Sequence, residues 1–231
     1  MTNDSNPSMN LSSAAVVESS LVAFGAGMSA QSRIDVKNSF LFATLVANKL
    51  HDQTVMSESW FTSFLQVMGD CGWVVAHRTH EKESTTEQSL KVANVAVKAV
   101  QSAATSLLLG GPVTAAIKSL AEAAIKGLET NQPALTVFKR NLERRSHVVV
   151  GLASCTETES GEVVMALGAI QRTVRKEDVD VLVFDWDSAT SETYKGTAAL
   201  SFNSLVYASV RAGVEHRLGE RALSRIMDYD I

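Results

Sequence analysis

Residues 88–128 constrain this chain most, because two helix-patterned limbs meet there at Gly110-Gly111-Pro112. In the first limb, residues 90–109, Lys91, Asn94, Lys98, Gln101 and Thr105 recur at three- and four-residue steps, which gathers them into one narrow polar seam along a helix. The rest of the circumference is apolar and rich in alanine, and it includes Val95, Ala99, Ala103, Leu107 and Leu108. Such a helix must be covered on several sides. In the second limb Lys118, Glu122 and Lys126 repeat every four residues as an outer charged stripe, and Ile117 and Leu120 belong to the apolar arc. The two glycines permit the positive φ of a helix end and Pro112 suits the first turn of the next helix, so the limbs run antiparallel.

Two uses fit a hairpin of this kind. One is a central element of a globular fold that also offers an apolar, small-residue face to a partner or a second copy. The other is a segment that leaves the fold for a bilayer, favoured by the 19 uncharged residues 99–117 and by close packing of small side chains. Gln101, Ser102, Thr105, Ser106, Thr114 and the glycine break leave each limb too polar or too short for a permanent span.

At 231 residues the chain can bury one substantial core, and 45% apolar with 20% charged residues is an ordinary globular composition. A net charge of -4 argues against a general nucleic-acid binder, which needs clustered Lys and Arg. Two cysteines, Cys71 and Cys155, are too few for a disulfide framework and are expected as free, buried thiols. No Lys or Arg precedes Arg33, so the basic region of a secretory signal is missing. The expectation is a cytoplasmic product with leaderless export open to it.

The remaining chain divides by period. Residues 1–32 read as a flexible or docking segment in which 11–28 forms a short helix or an added strand. Helices are expected from Arg33, with Ser32 as N-cap, and from Ser57, ending at Gly69 or Gly72. Residues 73–80 are a short strand or an extended connection, and 134–145 a short helix. Then come four β-rich runs, 147–156, 162–174, 179–187 and 193–202, whose short connections predict an antiparallel meander. Asn203 caps a last helix that Gly219 stops. The fold class is α+β: a helical region 33–132 with the hairpin, then an α+β region 133–231 with a four-stranded antiparallel sheet and a C-terminal helix.

Candidate chemistry is sparse. Asp185 and Asp187 alternate onto one strand face, roughly 6.5–7 Å apart at Cα, and paired carboxylates at that distance serve acid/base hydrolysis. His77 and His80 stand three apart, which suits a metal on a helix but points them to opposite faces of a strand. Nucleophile-elbow, phosphate-loop, dinucleotide and zinc-protease motifs are missing, so neither an enzyme nor a cofactor nor a metal is expected. Lys139, Arg140, Arg144 and Arg145 form one basic group, suited to an anion or lipid headgroups. Arg217, Arg221 and Arg225 form a second only if helix continues through Gly219.

The leading expectation is a non-enzymatic interaction protein that uses the hairpin for partner binding or self-assembly. The alternatives are a leaderless membrane-active, toxin-like protein that inserts the hairpin, and a hydrolase using the paired aspartates.

Overall fold

A computed structural model describes residues 13–51, 57–82, 92–107, 111–143, 147–173 and 193–227. Strands β1 (Ser13–Val17) and β2 (Ser20–Phe24) come first, followed by helices α1 (Ala30–Leu50) and α2 (Ser57–Asp70) and by strand β3 (Trp73–Lys82). Helices α3 (Val92–Ser106), α4 (Gly111–Thr130) and α5 (Gln132–Glu143) then precede β4 (His147–Glu157), β5 (Val163–Thr173), β6 (Thr193–Phe202) and helix α6 (Ser204–Met227). The class is α+β.

Among the described residues one six-stranded sheet, in the order β1-β2-β4-β5-β6-β3, organises the fold. Every pairing is antiparallel except β2 with β4, which is parallel. Strand alternation sends Val163, Met165 and Leu167 of β5 into one core and Val164, Ala166 and Ile170 into another. The first core lies under α1, α2 and α6; the second lies under α3, α4 and α5. The sheet is therefore the middle of three layers.

The expected meander accounts for half of this sheet. β4, β5 and β6 match three of its four runs, and the fourth, residues 179–187, lies outside the described residues. The other three strands come from the first half of the chain. All five residues of β2 are buried, and a strand buried on both faces reads as a continuous apolar run with no period to betray it. β3 carries a bulge between Val75 and His77, so its alternation breaks midway.

Helix boundaries shift for identifiable reasons. Ser29, not Ser32, caps α1: it is extended (φ -62, ψ 154) and its Oγ accepts from the Ser32 backbone N–H at 3.1 Å. Asn131 caps α5 in the same way through Ala134 N–H at 3.0 Å. α6 runs through Gly219 to Met227, because glycine costs an exposed helix only about 1 kcal/mol relative to alanine and no capping turn follows. Positive φ occurs instead at Gly72 (82°), between α2 and β3, and at Gly161 (81°), between β4 and β5.

Candidate functional site

The hairpin forms as its sequence predicts, and the sheet covers it. From α3, Val95, Ala99 and Ala103 are buried, and from α4, Ile117 and Leu120. They pack on Leu21 and Ala23 of β2, Leu152 of β4 and Val164, Ala166 and Ile170 of β5. The apolar faces that would otherwise have called for an oligomer are thus satisfied within one copy. Leu107 is half-buried where α3 ends, Gly111 and Pro112 open α4 in solvent, and Leu108 and Gly110 lie outside the described residues. Gly111 therefore begins a helix rather than ending one.

Alanine sets the distance between the layers. At Gly168, midway along β5, an added Cβ would stand 2.6 Å from the Ala99 Cβ, 3.0 Å from the Ala96 carbonyl oxygen and 3.2 Å from the Val100 nitrogen. Helix backbone and strand backbone meet there, and only glycine leaves room. The polar seam faces out as expected: Asn94, Lys98 and Thr105 are exposed, and Gln101 Nε2 donates to Glu122 Oε1 at 2.9 Å, joining the two limbs on their outer side. Thr105, Ser106 and Thr130 hydroxyls donate to carbonyls within their own helices. Polar contacts here knit the hairpin to itself, while the described core residues that seat it on the sheet are apolar.

The opposite layer is held differently. Trp73 Nε1 of β3 donates to Ser39 Oγ of α1 at 3.0 Å, and Trp60 Nε1 of α2 to Asn48 Oδ1 of α1 at 2.8 Å. Arg211 of α6 grips Asp35 of α1 with two hydrogen bonds, Nε to Oδ1 at 2.9 Å and a terminal nitrogen to Oδ2 at 2.7 Å, while Gln31 also donates to Oδ1. That hydrogen bond, first among several causes, holds the Arg211 pKa above its ordinary value. Tyr207 lies below with its ring 5.6 Å from the guanidinium, and burial first, then Asp35, pushes its phenol up. Geometry-specific polar contacts fix α1, α2 and α6 to one another and to the sheet.

The other candidates disperse. Lys139 is half-buried and Arg140 exposed on α5, whereas Arg217 and Arg221 lie on α6 across the sheet, so the two basic groups share no face. Arg144, Arg145, Asp185 and Asp187 lie outside the described residues. His77 and His80 take opposite faces of β3, in register with Ala199 and Gly196. His80 stacks on Tyr194 at 5.7 Å, and burial lowers its pKa against the opposing pull of Glu58. Among the described residues no group of three or more His, Cys, Asp or Glu side chains is arranged to hold a metal, and no helix is long and apolar enough to cross a membrane. Cys71 and Cys155 are free and buried.

One feature lay beyond sequence reasoning. A groove of about 180 Å³ opens between α4 and β1–β2, lined by Val16, Leu21, Ala23, Leu120, Ala124 and Leu128 among others. It marks the rim along which the hairpin layer adjoins the edge of the sheet. The sequence left residues 11–28 open between a short helix and an added strand, and the structure makes them the strands β1 and β2, so nothing in the sequence announced the groove.

No protein-family model and no curated protein matches the chain. Solved structures do. The chain is similar to a delta-endotoxin (12% identity, 81% of this chain and 84% of that one, TM-score 0.42). It is also similar to the Evf virulence factor (11%, 89% and 82%, 0.37). A third similarity is to the activated Cyt2Ba monomer of Bacillus thuringiensis subsp. israelensis (14%, 78% and 94%, 0.38).

Proposed function

We propose that the protein is a non-enzymatic, membrane-active, toxin-like protein whose α3–α4 layer lifts off the sheet at a lipid bilayer. The asymmetry between the two helical layers carries this reading. Parting α1 from α6 at a bilayer would leave the Asp35 carboxylate without its guanidinium in a medium that cannot solvate it, which is strongly unfavourable. Parting α3–α4 from β2, β4 and β5 separates alanine and aliphatic surfaces. Water opposes that separation through the hydrophobic effect, and a hydrocarbon medium does not. The layer therefore has a solvent-dependent hold, firm in water and weak at a bilayer.

Release of a trapped dye from liposomes tests this, with Leu107→Asp as the partner experiment. Leu107 is half-buried at the tip of α3, so a carboxylate there leaves the soluble fold intact by circular dichroism and meets the bilayer first. The expected result is leakage by the native protein that the folded variant loses. Ala104, wholly buried, is unsuited to the same substitution. An absence of leakage from every lipid mixture overturns the reading and leaves the hairpin as packing or as a partner surface.

A further inference from the structure

We propose that two diagonally opposite corners of the molecule are complementary halves of a head-to-tail contact between copies of this chain, an inference that stands apart from the membrane reading. The first corner lies where α2 passes into β3 and β6 into α6. Asn203 N–H donates to the Gly72 carbonyl at 2.8 Å, and Val206 Cβ lies 3.4 Å from where a Cβ on Gly72 would stand. Two aliphatic side chains of α6 are open to solvent at this corner, Leu205 (84%) and Val206 (44%). Acids border them. Exposed Asp70 closes α2 just before Gly72, and exposed Glu162 precedes Val163, which pairs with Phe202 beside Trp73. The corner is an aliphatic patch with an acidic rim.

The second corner is the outer face of α5. Pro133, Thr136, Val137 and Arg140 fall on one side of that helix and all are exposed, Val137 to 48%. α5 lies against β1 and β4, and Asn141 Nδ2 reaches back to the Glu18 carbonyl in the β1–β2 turn at 2.8 Å. That turn is at the far edge of the sheet from β3. It is also at the far end, because β2 leaves it at Ser20 and finishes at Phe24, in the row that runs through Cys155, Met165 and Leu200 to Val75.

Geometry and charge select the occupant. One copy cannot bring its own opposite corners together, so docking the aliphatic corner on α5 joins two copies heterologously and propagates into a ring or a chain. Leu205 meets Val137 in this contact, and Arg140 meets the carboxylates of Asp70 and Glu162. Copies with a net charge of -4 repel one another in most orientations, and a basic helix face presented to an acidic rim is an arrangement that attracts. So small a contact is weak and salt-sensitive.

Sedimentation of the full chain over a range of concentrations tests the proposal, using Leu205→Asp and Arg140→Glu, two surface changes whose folding is checked by circular dichroism. Native protein is expected to gain mass with concentration and to lose it with added salt. Each variant alone weakens association at least about tenfold, the effect of some 1.4 kcal/mol. An equimolar mixture of the two forms dimers and nothing larger, since Arg140→Glu keeps the aliphatic corner and Leu205→Asp keeps α5. A native protein that stays monomeric, oligomers that survive both substitutions, or a mixture that stays monomeric each overturns the assignment.

Discussion

Tyr207 is wholly buried, and its hydroxyl has no hydrogen-bond partner among the described residues. An unsatisfied buried hydroxyl is a cost the fold carries, so Tyr207→Phe is expected to stabilise the protein by about 1 kcal/mol in chemical denaturation. The same variant alters the alkaline limb of stability. Burial raises both the Tyr207 phenol from 10.0 and the Cys71 thiol from 9.0, the latter to about 11 with Asp70 adding to it. An acid whose pKa rises on folding is kept neutral by the fold, so its contribution is complete below the unfolded value and drains away above it. Native stability should therefore decline above about pH 9, and less steeply in Cys71→Ala or Tyr207→Phe than in the parent, as equilibrium unfolding against pH would show. At Gly168 the prediction runs the other way. A methyl there must push α3 off β5, so Gly168→Ala is expected to destabilise by about 1–3 kcal/mol while leaving the α1–α2–α6 layer unchanged. If the hairpin layer opens at bilayers, this variant also leaks dye at lower protein concentration than the parent.

The two helical layers differ as elements, and hydrogen exchange should resolve them. Backbone amides of α1, tied through Asp35, Ser39 and Asn48, are expected to exchange only through global unfolding; those of α3 and α4, seated on alanine, through a sub-global opening of lower free energy. Equal protection in the two layers would contradict the mechanism proposed for the hairpin. Acid acts on the other side of the sheet. His80 is held neutral against Tyr194 and Phe61, so its stabilising share is full above pH 6.5 and is lost below it, and His80→Phe should flatten that acid decline. The hairpin was legible because its polar residues mark a 3.6-residue period over many turns, and β4, β5 and β6 because long β-rich runs there are cut by turns. β2 was legible only as one of two alternatives, a short helix or an added strand, since burial on both faces removes the alternation that identifies a strand. The polar contacts that pin one layer were invisible: Asp35 and Arg211 are 176 residues apart, and nothing local distinguishes them from a solvated acid and base.

The dimensions of the whole molecule decide how it would engage a bilayer. The hydrocarbon region is about 30 Å thick, and a helix rises about 1.5 Å per residue. α3, with 15 residues, reaches only about 22 Å. α4 is longer at 20 residues but bears Lys118, Glu122, Lys126 and Glu129 along its length. Among the described residues neither helix is long and apolar enough to cross, so a hairpin released as proposed would lie along the interface with its alanine face towards the acyl chains and its charged stripe towards the headgroups. The strands have other proportions: β3, β4, β5 and β6 contain 10, 11, 11 and 10 residues, the length a tilted membrane strand requires. Their hairpin-side row, once uncovered, includes Leu152, Val164, Ala166 and Ile170. The prediction concerns depth. A spin label on Leu107→Cys, in a background where Cys71 and Cys155 are buried and unreactive, should report headgroup depth in membrane-bound protein, with collision by a polar relaxation agent exceeding that by oxygen. A mid-bilayer position at residue 107 would mean that the hairpin crosses as a pair of helices, and the interfacial account of this layer would have to be abandoned.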